Sequence, residues 1–277
     1  VCTRPLVQPK PTAMLVIAFA SLAICCYLIG SVLLIRHITE TRAPKPAIYL
    51  NWLAVILQTL SVLISVQQLN HFNFGFFNTA SLVAMIVALM LLIAALTKPV
   101  IKLGAIVFPM AAIMLLLNQF FTQETGHLNT HNWAMTSHIL TSVIAFSLLN
   151  IAALQAVLLA FQDMQLKSHP PKRFAQSLPS LQAMESLLFQ MLSAGVLFLT
   201  VSLTTGFVFI EDLFAQHLVH KTVLSILAWL LFSGLLLGRW RYGWRGQTAL
   251  CWTLSGFVLL LLAYFGSKFI LELILHR

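Results

Sequence analysis

Residues 82–96 read Leu-Val-Ala-Met-Ile-Val-Ala-Leu-Met-Leu-Leu-Ile-Ala-Ala-Leu, an uncharged apolar run closed by Thr97 and Lys98. With its flanks it spans roughly 78–97, about the 20 apolar residues an α-helix needs to cross a bilayer. Backbone groups in hydrocarbon have no water to bond, so such a run satisfies them internally, as a helix. Seven more segments share this character, at roughly 14–36, 48–67, 101–120, 133–161, 182–209, 218–238 and 248–275. The expected fold is therefore all-α: a polytopic membrane bundle of eight transmembrane helices, forming one domain over residues 14–277. Residues 1–13, with Pro5, Pro9 and Pro11, read as an extension ahead of a native start at Met14. Leu15–Ile35 reads as a retained span, because no small-residue cleavage site follows it.

Composition agrees. Of 277 residues, 60% are hydrophobic and 8% charged, and the mean hydropathy is +0.93. Soluble domains carry about 25% charged residues, so a water-soluble fold is excluded and the lipid bilayer is the first partner. A net charge of +9 does not mark a nucleic-acid binder, since no basic patch interleaved with aromatics appears. Cys2, Cys25, Cys26 and Cys251 form neither C-x-x-C nor C-x-x-C-H, which excludes a thioredoxin-like pair and covalent haem attachment. No nucleotide loop, Ser/His/Asp set or dinucleotide fingerprint is visible.

The cations alternate from loop to loop. Arg36, Arg42 and Lys45 lie between spans one and two, and Lys98 and Lys102 between three and four. Lys167, Lys172 and Arg173 follow span five, and Arg239, Arg241 and Arg245 follow span seven. These are eleven of the sixteen basic residues, and the other three loops hold none. Basic loops stay in the cytoplasm, which leaves both termini extracytoplasmic. The longest cytoplasmic loop, Gln162–Leu181, contains Pro170, Pro171 and Pro179 and reads as a connector.

Against that frame the histidines are one-sided. His71, His127, His131, His138, His217, His220 and His276 sit at the non-basic ends, and only His37 and His169 at the basic ends. Neutral imidazole binds metals and serves as an axial ligand of haem iron. His138, about one turn into span five, and His276, at the end of span eight, share a membrane surface and could flank a haem. An interfacial histidine bonding a loop carbonyl accounts equally well for either ring alone. His127 and His131, and likewise His217 and His220, share a helical face and could chelate zinc, copper or nickel; a wet interfacial pair is the plainer account. His71 opens an aromatic run through Phe72, Phe74, Phe76 and Phe77, either an interfacial belt or a flat wall for a macrocycle. Glu185 and Lys268 are intramembrane charges that need partners or water: Glu185 can snorkel to the cytoplasmic interface or meet a basic loop, and Lys268 can pair with Glu272 at i+4. Gly30, Gly195, Gly206, Gly234 and Gly256 read as close-packing positions.

Several strings resemble the cytochrome c assembly transmembrane family, with its CcsA-type and HemX-like branches. They are His220-Lys221-Thr222-Val223-Leu224-Ser225, Ala228-Trp229, Gly238-Arg239, Gly243-Trp244-Arg245-Gly246 and Tyr264-Phe265-Gly266-Ser267-Lys268, in order. Trp133 with His138, and Ala152-Ala153-Leu154-Gln155-Ala156, support them. The resemblance implies a bacterial inner-membrane protein that binds non-covalent haem b, with other cytochrome-maturation membrane proteins as partners. It assigns His138 and His276 as axial ligands at the outer face, with His220 and His71 as neighbouring alternates. The tryptophan-rich segment of CcsA-type members is absent; Ile210–His217 stands there without tryptophan. The intramembrane histidine that follows that segment in those members is also missing, Leu237 or its neighbours filling the place. Both departures argue against haem lyase activity and for a protein without catalysis. The other expectations are a HemX-like regulator or scaffold and, behind it, a histidine-based transition-metal transporter or sensor.

The orientation is testable with fusions of a phosphatase that is active only outside the cytoplasm. Activity is expected after Thr125 or Ala215 and none after Arg42, Lys172 or Arg241; the opposite pattern would invert the topology.

Overall fold

A computed structural model describes residues 11–38, 40, 44–69, 76–98, 100–121, 133–167, 178, 180–209 and 219–266. Its helices follow the apolar segments: α1 Pro11–Arg36, α2 Lys45–Leu69, α3 Phe76–Ala95, α4 Gly104–Phe120, α5 Trp133–Lys167, α6 Leu181–Phe209, α7 Val219–Tyr242 and α8 Gly246–Leu261. A 3-10 turn, Ile101–Leu103, leads into α4, and α8 continues into a π-helical turn at Leu262–Gly266. Eight helices are long and apolar enough to cross a membrane, and no strand occurs among the described residues. Several boundaries differ from the sequence reading, among them the start of α1 at Pro11, inside the expected extension, and the end of α7 at Tyr242. Helix α5 runs on through Gln162–Lys167, expected as loop; these residues are good helix formers, and Asp163 accepts from Lys167 Nζ at 2.7 Å, one turn on. Helix α2 starts at Lys45 because Pro46, in the first turn, lacks only an N–H that the helix end leaves unbonded anyway.

The bundle has two halves joined through α5. In the first, α1 packs on α2 and α4, and α3 on α4. Tyr27 donates to Gln58 Oε1 at 3.0 Å, and Gln58 Nε2 donates to Ser81 Oγ at 3.1 Å. These buried bonds tie α1, α2 and α3, and they satisfy polar groups that hydrocarbon would otherwise penalise. In the second half α5 lies between α6 and α8 and also meets α3. Gly195 explains how close α5 and α6 come: a Cβ there would stand 2.7 Å from Leu149 Cγ. Gly30 against Asn51, Gly234 against Trp252 and Gly256 against Phe232 serve the same purpose. Leu197, Leu230, Leu237 and Val258 are exposed, an apolar outer surface suited to lipid tails.

At the basic end, Glu185 of α6 is 8% exposed and accepts from Arg239 Nη1 at 2.5 Å and from Arg245 Nε at 3.0 Å. The bond and charge of Glu185 hold the Arg245 guanidinium above its ordinary pKa. Arg239 also lies over the Phe189 ring, 4.5 Å from its centroid. The intervening turn requires two glycines, because Gly243 has φ 68° and Gly246 φ 57°, a left-handed region that other residues avoid. Gly243 N–H caps α7 by donating to the Arg239 carbonyl at 3.1 Å. Trp244 then folds back over Gly238 and packs on Trp252, centroids 5.0 Å apart. The sequence expectation that Glu185 meets a basic loop is met.

Removing one member of a fully buried ion pair costs about 3–5 kcal/mol. Arg245 is 54% exposed, which screens part of that. Glu185→Gln is expected to lower stability by about 2 kcal/mol, read as a lower thermal unfolding midpoint in detergent. An unchanged midpoint would show that the cluster adds nothing.

Candidate functional site

The second turn of α5 carries His138, half-buried against α6. Its Nδ1 lies 2.9 Å from the Ser202 carbonyl oxygen. A carbonyl only accepts, so Nδ1 holds the ring proton. Thr205 Oγ1 is 3.2 Å from the same nitrogen. The Thr205 hydroxyl spends its own proton on the Val201 or Ser202 carbonyl, both at 2.9 Å, so its oxygen also accepts from Nδ1. In the neutral ring Nε2 therefore keeps its lone pair, and no described group hydrogen-bonds to it.

The helix-to-helix fit makes this possible. A Cβ on Gly206 would stand 3.0 Å from His138 Cε1 and 3.5 Å from Nδ1, so the missing side chain is where the imidazole lies. One turn along α5, Ser142 donates to the His138 carbonyl at 2.6 Å. Ser202 Oγ, 2.5 Å from Ser142 Oγ, is consequently the donor in that second contact. His138 and Ser142 of α5 thus both hydrogen-bond to Ser202 of α6.

His138 lines a cavity of about 290 Å³ enclosed by α3, α5, α6, α7 and the π-helical turn. Leu82, Val143, Leu199 and Phe207 supply apolar wall, and Ser142, Lys221, Ser225 and Tyr264 supply polar groups. π-helical turns recur at functional sites, and this one presents Ala263 and Tyr264 to the cavity.

Of the expected ligands, His138 alone has a described ring at this site. His220 is the second residue of α7, adjacent to the cavity-lining Lys221, but its side chain lies outside the described residues. His71 and His276, as well as His127, His131, His169 and His217, fall outside the described residues, and so do Lys268 and Glu272. His37, at the basic end, bonds Glu40 at 2.6 Å and is a loop contact. The two described aromatics of the run after His71 brace helices: Phe77 stacks on Phe121 and Phe76 meets Phe265 edge-on. Ser202 and Thr205 were not foreseen. Their i, i+3 spacing ahead of Gly206 is the signal that puts all three on one face of α6.

A profile of the family described as "Cytochrome C assembly protein" matches residues 45–275. The chain belongs to that family. It is 36% identical over 203 residues to "Inner membrane protein YpjD" of Escherichia coli (strain K12), covering 73% of this chain and 76% of that protein. It is also 34% identical over 140 residues to an "Uncharacterized 28.8 kDa protein in nifR3-like 5'region" of Azospirillum brasilense, covering 50% and 52%. No solved structure matches. Family membership and the helical bundle agree with the sequence reading, whose quoted strings lie inside the matched region.

Gly206→Leu is expected to cost about 1–3 kcal/mol by overpacking the His138 ring, and Gly206→Ala distinctly less. Thermal unfolding in detergent reads both. Equal stability of all three forms would show that the imidazole does not lie against Gly206.

Proposed function

We propose that this inner-membrane protein binds non-covalent haem b at the outer membrane face, with His138 as one axial ligand. The observation that carries the reading is the anchored ring: Nδ1–H is held by the Ser202 carbonyl at 2.9 Å, leaving Nε2 as a neutral lone pair. Metal-ligating histidines characteristically donate their second nitrogen in this way, which fixes the tautomer and raises basicity. The apolar wall and the hydroxyls fit a ligand that is mostly flat hydrocarbon. At about 290 Å³, the cavity stands at the lower edge of ligand pockets, about 300–1,000 Å³, and takes part of a haem-sized ligand. His276 is the proposed second axial ligand, and His220 and His71 are neighbouring alternates or hydrogen-bond donors.

Bound haem would supply an iron centre for ligation or electron exchange. The chain's own residues fix the imidazole, exclude lipid from one ring face and keep the Ser142–Ser202 contact closed. This supports haem holding or passage among cytochrome-maturation membrane proteins, and not its covalent attachment.

Purified protein given haem is expected to show a low-spin spectrum that changes on dithionite reduction. His138→Ala and His276→Ala should each abolish the low-spin bands. Protein that stays inert to added haem would overturn the reading.

A further inference from the structure

A second cavity, of about 370 Å³, lies at the other end of the bundle from His138, between α5, α6 and the start of α8. Its rim coincides with the ends of three membrane spans: Lys167 closes one, Leu181 opens the next and Gly246 opens the third. Its deeper wall is Ala156, Leu159, Leu188 and Leu250, and Ala156 stands about 16 Å from Lys167 along α5 at 1.5 Å per residue. The lining therefore turns from charged at the level of lipid headgroups to apolar at the level of acyl chains.

The charges at the rim do not balance. Lys167 Nζ bonds Asp163 at 2.7 Å, whereas Arg239 and Arg245 share the single carboxylate of Glu185. Of the seven Asp and Glu residues in the chain, Glu40 is the other one at the basic end, and it pairs with His37. Residues 168–177, between α5 and α6, bring Lys172 and Arg173 and no carboxylate. Arg245 is 54% exposed and spends only its Nε–H on Glu185, 3.0 and 3.1 Å from the two oxygens. Among the described residues no hydrogen bond uses its Nη1 and Nη2 groups, and a guanidinium fork matches phosphate oxygens. Basic pockets between spans on the cytoplasmic side bind phospholipid head groups.

We propose that this cavity holds one anionic phospholipid, its phosphodiester on Arg245 and Lys167 and the start of an acyl chain along the apolar wall. The site lies at the other membrane surface from His138 and does not depend on the haem reading. A lipid seated there touches α5, α6 and α8 at once, so it binds the folded bundle and not the unfolded chain, and it raises stability by mass action.

The test follows thermal unfolding of purified, delipidated full-length protein in detergent as phosphatidylglycerol, phosphatidylcholine or glycerol phosphate is added. Phosphatidylglycerol is expected to raise the midpoint saturably, half-saturating at a concentration at least about fivefold below that of phosphatidylcholine, whose choline cancels the phosphate charge. Glycerol phosphate, a head without a chain, should leave the midpoint unchanged. Arg245→Gln should respond to the two lipids alike. Ala160→Leu, which fills the cavity without touching its charges, should lose the saturable rise with both. Each shift is read against the variant's own lipid-free midpoint, so a change in basal stability cancels. Equal action of the two lipids on wild type, or a rise with glycerol phosphate equal to that with phosphatidylglycerol, would overturn the site. So would a preference that survives in folded Arg245→Gln or a saturable rise that survives in Ala160→Leu.

Discussion

The constraint on which the structure depends is that no backbone or side-chain polar group can rely on water inside hydrocarbon. Helices meet it for the backbone. For side chains it produces a small set of cross-helix hydrogen bonds: Tyr27 with Gln58 and Gln58 with Ser81, Trp229 Nε1 with Thr200 at 2.8 Å, Asn118 with Asn78 at 3.2 Å, and Ser142 with Ser202. Each bond joins two helices, and Gln58 links three. Lipid tails compete on equal terms with apolar side chains, so helix association relies on such bonds and on close steric fit. The glycines supply that fit, as Gly195 does under Leu149.

His138 belongs to this pattern and departs from it in one respect. Its Nδ1–H closes a bond to α6 as any buried donor must, but imidazole has a second nitrogen. A serine or asparagine in its place would either close all its bonds or leave a group orphaned. The ring can be satisfied on one side and chemically available on the other, so a structural contact becomes a potential ligand.

How far the sequence goes depends on range. Span positions follow from local composition, and Lys/Arg alternation groups Arg36, Lys98, Lys167 and Arg239 at one end of an up-and-down bundle. The continuation of α5 through Gln162–Lys167 was missed because hydropathy falls there while helix propensity does not. His138 was legible as a residue, but its partner was not. Ser202 stands 64 positions away, and its contact is a backbone carbonyl, which every residue has. Glu185 fell between these cases: its need for a cation was readable, whereas its choice of Arg239 and Arg245 depended on how α6 meets the α7–α8 turn.

That turn has a mechanical meaning. Two left-handed glycines, a capped helix end and the Trp244–Trp252 contact make α7 and α8 a single stiff hairpin. Glu185 clamps its turn end to α6, while its other end carries Lys221 on one arm and Tyr264 just beyond the other. Lys221 and Arg239 are about 27 Å apart along α7 at 1.5 Å per residue. The hairpin thus runs from the Glu185 cluster at one end of the bundle to the His138 cavity at the other, so one supersecondary unit carries both an ion-pair anchor and part of the cavity wall.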